Sequence, residues 1–311
     1  MIDAASKALF HSLAQVDRLR HLASSYGMRP GGFARRFIAG ETVEEAIAAV
    51  ADLPGRGLRL TLDYLGESVA SFDEAHAASL EYLRIIRAMV DAGTERNISL
   101  KLTQLGLDVD LATAVDNMRR ILESADGHQF FVRIDMENSP YTDRTLRVLD
   151  TLWQQGHRGI GTVIQSCLTR SPEDVQRLNQ LGSRVRLVKG AYKEPKTVAI
   201  QDKSAVDAAF VDLMRELLDH GNFPAIATHD VAMIAATKRH VAERGYSKDR
   251  FEFQMLYGIR RDLQTSLVAE GYGVRVYVPF GRQWFPYFMR RLGERPANIG
   301  FVMRGLAADR G

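Results

Sequence analysis

The sequence predicts an α/β fold, a (β/α)8 barrel of the TIM type with additional N-terminal helices, on three observations. Eight short apolar, β-branched runs recur along the chain. An amphipathic helical stretch follows each. The whole alternation occupies about 240 residues, the usual size of a closed barrel. Strands that alternate with helices imply parallel pairing, because parallel neighbours need a crossover connection. An open doubly wound sheet would alternate too, and periodicity alone leaves it standing, although no G-x-G-x-x-G fingerprint follows any of the runs.

In chain order the runs are LRLTLDYLG (58–66), ISLKLTQLG (98–106), QFFVRIDME (129–137), IGTVIQS (160–166), VRLVKGAY (185–192), PAIATHD (224–230), FEFQML (251–256) and GVRVYVPFG (273–281). Caps and periodicity mark the helices between them, as at Ser71 before FDEAHAASLEYLRIIRAMV and at Ser171-Pro172-Glu173 before DVQRLNQL. Residues 1–55 have helical character, including ETVEEAIAAVADL ahead of Pro54-Gly55, and RPGGFARRFIAG breaks them into pieces. The expected organisation is therefore an N-terminal helical layer, residues 1–55, packed on a barrel formed by residues 56–311, with no linker long enough to divide the chain.

Composition narrows the function classes. The 311 residues carry 41 Lys plus Arg against 38 Asp plus Glu, and a net charge of +3 is too mild to argue for nucleic acid. The single cysteine, Cys167, excludes an intrachain disulfide and a cysteine-built metal site. No apolar run approaches bilayer length, and the opening MIDAASKALFHSLAQ lacks a secretory pattern, so a soluble, cytoplasmic protein is expected.

Barrel enzymes build their sites at the carboxyl ends of the strands. Polar residues fall within the runs where a filled core would take apolar ones: Lys101, Arg133, Asp135, Gln165, Arg186, Lys189 and Thr228-His229-Asp230. Singly, each has a structural explanation as a strand-end ion pair or a satisfied buried amide. Five strands contributing such groups toward one end point instead to a shared pocket. The last run continues through Gly281 into a helical segment carrying Arg290 and Arg291, two adjacent planar forks suited to a carboxylate or phosphate. Tyr277, Trp284, Tyr287 and Glu294 bracket them. Lys101, Arg186, Lys189, Arg290 and Arg291 against Asp135 and Glu294 make the pocket cationic, fitting an anionic ligand. No cluster has metal-ligand spacing, and no nucleophile elbow or P-loop is present. A cationic pocket lacking both suits an enzyme whose cofactor carries the difficult step.

Taken together, LDYLGE, KLTQLGLD, RIDMENS, VIQS, RLVKGAYKEP, ATHD, FEFQMLYG and VRVYVPFGRQWFPYFMRRLGERPAN resemble proline dehydrogenase in its short, monofunctional bacterial form. The resemblance runs from about Leu62 to Phe301, in family order and on every predicted strand. It implies a flavin barrel that oxidises L-proline to 1-pyrroline-5-carboxylate, the first step of proline catabolism to glutamate. Non-covalent FAD would take the hydride at N5 and pass electrons to a membrane quinone, any membrane contact being peripheral, at the inner face.

Carried over residue by residue, Arg290 and Arg291 correspond to the pair that grips the substrate carboxylate, with Lys101 as a third cation. Asp135 corresponds to an aspartate that orients that lysine and Tyr277. Tyr277 and Tyr287 wall the proline ring, and Arg186 lies near the reactive edge of the flavin. Met136, Gln165, Lys189, Gly190, Ala191, Tyr192, Thr228 and His229 correspond to positions that hold FAD, which makes His229 a cofactor contact and not a base. Glu67 corresponds to an acid that closes over the substrate by pairing with the second arginine, here Arg291. Two other classes fit the residues less well. A methylenetetrahydrofolate reductase-like flavin barrel needs room for a pterin; the other is a non-enzymatic barrel that binds an amino acid or RNA as a regulator, and RNA would need a contiguous basic stripe.

Overall fold

The computed structural model describes Met28 and residues 32–294. Its eight strands are β1 (Arg59–Tyr64), β2 (Asn97–Leu100), β3 (Phe131–Ile134), β4 (Ile160–Gln165), β5 (Arg184–Val188), β6 (Ala225–Ala227), β7 (Glu252–Leu256) and β8 (Val274–Phe280). All pair in parallel with their sequence neighbours. β1 also pairs with β8, from Arg59 opposite Arg275 to Tyr64 opposite Phe280. That last pairing closes the barrel and excludes the open sheet.

Among the described residues one α-helix, α1 (Val43–Ala49), precedes the barrel, and each strand is followed by one: α2 (Phe72–Asp91), α3 (Leu111–Gly127), α4 (Thr142–Gln154), α5 (Ser171–Leu181), α6 (Lys203–His220), α7 (Val231–Glu243), α8 (Arg261–Ala269) and α9 (Trp284–Glu294). Local chemistry sets several starts. Thr42, Ser71, Asp110, Asp202 and Asp230 each cap a helix by accepting a backbone N–H of its first turn, a contact whose loss costs about 1 kcal/mol. The cap expected at Ser171 is not formed. Ser171 is already helical, Pro172 occupies the first turn, and the Ser171 hydroxyl donates to the Gln165 carbonyl instead.

Strand periodicity divides the barrel into two chemistries. Leu60, Leu62, Ile98, Leu100, Val132, Ile134, Leu187, Ile226, Phe253, Val276 and Val278 are buried in one apolar cluster with helix residues such as Tyr82, Ile121, Leu149 and Phe210. Burying each such side chain contributes roughly 1.5–3 kcal/mol, so this outer face supplies most of the adhesion between strands and helices. The alternate residues point inward and are largely polar. Rung partners confirm the shared direction: Thr61 lies opposite Tyr277, Asp63 opposite Ser99, Ser99 opposite Arg133, and Gln254 opposite Arg275.

At the amino-terminal floor of the barrel these inward groups pair with one another. Glu252 accepts from Arg275 at 2.7 Å and 3.1 Å, and Arg275 also donates to Glu95 at 2.7 Å. Arg133 donates to the carbonyls of Thr162 and Arg184 and lies over the Phe131 ring. Arg133 is therefore a floor residue, apart from the strand ends where the pocket was expected.

Residues 1–27 and 29–31, which make up much of the expected N-terminal layer, lie outside the described residues, as do 295–311. What is described ahead of β1 packs on the end of the barrel. The Ala39 N–H donates to the Pro279 carbonyl and the Gly281 N–H to that of Gly40. Phe37 meets Phe288 at a ring-centroid distance of 6.1 Å, and Trp284 donates its indole N–H to Glu41. Met28, Ala34, Phe37 and Ile38 form a second apolar cluster with Leu65, Ile259 and the α9 residues Trp284, Phe285, Tyr287, Phe288 and Met289. The orientation of α9 thus depends on chain that precedes the barrel.

Phe37→Ala should remove about 3–5 kcal/mol by opening a cavity against Phe288. Urea unfolding would measure the loss, and hydrogen exchange should show α9 amides losing protection before those of β1–β8.

Candidate active site

The centre of the site is the Asp135 carboxylate, one residue past the end of β3. Its Oδ1 accepts from Arg186 Nη1 at 2.7 Å, its Oδ2 accepts from Tyr277 Oη at 2.9 Å, and Lys101 Nζ stands 3.6 Å from Oδ2. Arg186 is held on two further sides. It donates through Nη2 to Ser99 Oγ at 3.0 Å and through Nε to Gln254 Oε1, and its guanidinium lies 5.3 Å from the Tyr277 ring centre. These contacts join β2, β3, β5, β7 and β8 through the barrel interior, just below the carboxyl rim.

Electrostatics follow from that enclosure. Burial drives the Tyr277 hydroxyl well above its ordinary range, and neighbouring Asp135 adds to the shift. For Lys101, burial opposes the charge, but Asp63 and Asp135 together outweigh it and hold the ammonium above its usual range. Lys101 stays charged at neutral pH.

Lys101 faces a cleft that it shares with Leu65, Gly66, Glu67, Gln283, Pro286, Tyr287 and Arg290. The structure therefore brings Lys101, Tyr287 and Arg290 together, and Tyr277 joins them through Asp135. Tyr192 faces the same group. Burial pushes its hydroxyl up to about 12, and the charges that act on it are Lys101, Glu137, Arg290 and Glu67. Arg291 is not among the residues lining the cleft; its guanidinium lies 5.1 Å from the Tyr287 ring centre. The expected closing pair is corrected in one respect. Glu67 pairs with Arg290, at 3.3 Å, where the sequence analysis assigned it Arg291. The side chain of Glu294, counted with the pocket from sequence, lies outside the described residues.

Around the rest of the rim the expected cofactor positions fall on neighbouring strand ends. Gln165, at the end of β4, donates to the Glu137 carbonyl. Gly190 has φ +114°, and a Cβ there would come within 2.4 Å of Cys167 Sγ, so glycine is required on both counts. Thr228 accepts the Asp230 N–H. His229 Nε2 accepts the Leu256 N–H at 2.9 Å, which spends its lone pair on backbone and leaves the ring a poor base. Met136 is buried in the core cluster, and Ala191 is exposed. Lys189, counted above as a pocket cation, is matched by two carboxylates, Asp207 at 2.5 Å and Asp230 at 2.7 Å. Its charge is spent locally and does not add to the surplus around Lys101.

Three inward residues that the sequence analysis does not single out belong to the same network. Asp63 on β1 is fully buried 3.7 Å from Lys101, and Ser99 and Gln254 hold Arg186. The signal was present. Alternation with Leu60 and Leu62 puts Asp63 on the inner face, by the reading that picked out Arg186.

The chain matches the family model described as proline dehydrogenase over residues 46–304. It is 45% identical over 298 residues to proline dehydrogenase 1 of Bacillus subtilis (strain 168), covering 96% of this chain and 98% of that one. It is 41% identical over 310 residues to the proline dehydrogenase of Deinococcus radiodurans, covering 98% and 99%. Among solved structures it is similar to proline utilization A from Bdellovibrio bacteriovorus inactivated by N-propargylglycine. That match has a TM-score of 0.79 and 28% identity over 90% of this chain and 34% of that one. A proline utilization A structure with proline bound in remote sites matches with a TM-score of 0.72 and 26% identity, over 88% and 32%. The chain spans about a third of those larger proteins and nearly all of the two bacterial relatives.

Arg186→Met should strand the buried Asp135 carboxylate and destabilise the protein by roughly 3–5 kcal/mol. Denaturant unfolding at neutral pH would register it, with a smaller loss expected for Arg186→Lys, which keeps the charge but not the three-way fork.

Proposed function

The chain belongs to the proline dehydrogenase family, and from that premise we propose that it oxidises L-proline to 1-pyrroline-5-carboxylate with non-covalently bound FAD. The observation that carries this reading is the meeting of Lys101, Tyr287 and Arg290 in one cleft beside the Asp135–Arg186–Tyr277 cluster.

The residues present fit a flavin. At the carboxyl ends of β5, β6 and β7 the apolar side chains Val188, Ala227 and Leu256 are only half-buried, and we read that remaining apolar surface as a shelf for the ring. Gly190 keeps bare backbone beside that shelf. Arg186, Gln165, Thr228 and His229 supply polar groups around it, and Met136, Lys189, Ala191 and Tyr192 complete the set assigned to FAD. Lys189 acts there as a member of the Asp207–Asp230 triad, not as a free cation. When bound, the flavin supplies the hydride acceptor for the proline carbon next to nitrogen.

The chain's own residues then have distinct tasks. Lys101 and Arg290, with Arg291 beside Tyr287, hold the substrate carboxylate, and that grip fixes the ring without touching the reacting carbon. Tyr277 and Tyr287 wall the ring. Arg186, locked by Asp135, Ser99 and Gln254, presents a fixed positive charge where negative charge develops during oxidation. Glu67, through its contact with Arg290, closes over the bound substrate and excludes water. No general base is assigned.

Electrons leave to a quinone, and the product continues toward glutamate. Among the described residues no helix is long and apolar enough to cross a membrane, so meeting a membrane-held quinone calls for peripheral contact. The barrel is accordingly proposed as the FAD- and proline-binding catalytic unit, with the described residues ahead of β1 packed on its end.

The purified protein should be yellow, and anaerobic L-proline should bleach it; a colourless protein that FAD cannot reconstitute would sink the proposal. Arg290→Ala should raise the KM for proline by about 100-fold, as expected for loss of a charge-assisted grip. Flavin content should stay near that of the parent protein, and its loss would put Arg290 on the wrong ligand.

A further inference from the structure

We propose that Asp63 is the positioning residue for Lys101, a counter-ion that seats the ammonium from the barrel side so that its N–H bonds remain directed to the substrate carboxylate. This rests on the reading of Lys101 as a substrate-binding cation.

Asp63 is the penultimate residue of β1 and has no solvent exposure. A buried carboxylate is costly unless it is paired or hydrogen-bonded. Yet neither Asp63 oxygen has a hydrogen-bond partner among the described residues. A cation stands nearby, Lys101 Nζ at 3.7 Å from Oδ1. The other carboxylate near Lys101, Asp135, is already committed through both oxygens to Arg186 and Tyr277. The ammonium is thus held between two acids at 3.7 Å and 3.6 Å. Those separations give strong attraction inside a protein but exceed hydrogen-bond length, so no N–H is consumed. An ammonium carries three donors, and the cleft with Arg290 and Tyr287 is where Lys101 meets open space.

The other groups acting on Asp63 are Asp135, whose like charge pushes its carboxyl further up, the Tyr277 hydroxyl and Arg186, which both favour the carboxylate, and Tyr82. The tyrosines contribute no charge at neutral pH, and Arg186 is bound to Asp135. Burial drives the Asp63 carboxyl above its usual range, and Lys101 draws it back. If packing alone were required, an apolar residue of similar size would serve at least as well. The acid therefore makes sense as the partner of Lys101.

The test uses the flavin-loaded enzyme and three variants: Asp63→Asn, Lys101→Met and the double variant. Lys101→Met should raise the KM for proline by more than about tenfold. Asp63→Asn should raise it about tenfold with kcat and flavin content nearly unchanged, and should add less than about twofold once Lys101 is gone, because it acts only through that residue. An unchanged KM in Asp63→Asn, or an equal effect in both backgrounds, overturns the proposal. If Lys101→Met itself leaves KM unaltered, the reading of Lys101 fails, a different outcome.

Stability gives a second readout that does not need the single Asp63→Asn variant. In Lys101→Met the buried Asp63 carboxyl loses the cation that draws it back, so its pKa rises further above the parent's. Its contribution to stability is present below the unfolded carboxylate value and lost as pH rises through the folded one. The Tm deficit of Lys101→Met against the parent should therefore widen as pH rises above the usual carboxylate range, and the double variant should remove that dependence. A deficit independent of pH would show that Asp63 does not sense Lys101.

Discussion

The site depends on one carboxylate. Asp135 is approached by Arg186, Tyr277 and Lys101, side chains from β5, from β8 and from just past β2, and so ties distant parts of the barrel to one point. A buried ion pair adds little net stability, because desolvating both partners offsets their attraction, but removing one partner is expensive. The consequence is geometric: each member has one acceptable position. Adhesion comes from elsewhere, from the apolar outer face of the same strands packed against the helices. Alternation along each strand separates the two tasks, so the inner face is free to be polar.

The two ion pairs around the cleft differ in a way that matches their proposed roles. In the Asp135–Arg186 pair the side chains are 13% and 6% exposed, so the contact is shielded from solvent and salt. In the Glu67–Arg290 pair they are 40% and 34% exposed. A pair that exposed is worth about 1 kcal/mol or less and breaks readily. A fixed floor beneath a labile contact is the arrangement required for a site that must hold its chemistry still while its mouth opens and closes. Helix α9, which carries Arg290, belongs to neither regime. Its apolar face is gripped by Phe37, Ile38 and Met28 from ahead of the barrel, which makes that segment part of the apparatus that aims the arginines.

Much of this architecture was legible in the sequence, and particular residues show why the rest was not. Lys101 and Asp135 stood out as charges in apolar runs, and the structure sets both one residue past their strands, where barrel sites are built. Asp63 obeys the same alternation and escaped notice, hidden beside the more exposed Glu67. Ser171 has the residue type of a cap but is drawn inward to the Gln165 carbonyl, a contact that no local pattern specifies. Lys189 reads as a pocket cation until Asp207 and Asp230 arrive from the next helix and strand end.

The Glu67 contact marks the boundary most sharply. Arg290 and Arg291 are adjacent, so on a helix they point about 100° apart, and the residues themselves do not say which faces the acid. The packing of α9 against the pre-barrel segment decides it. The sequence by itself determined the number and order of the strands, their parallel pairing, their two faces and the family likeness, because periodicity and motif are local properties. The tertiary structure alone decided which charges meet, since the contacts that build the site join residues 51, 142 and 223 positions apart. Separations of that length are bridged only when the barrel closes.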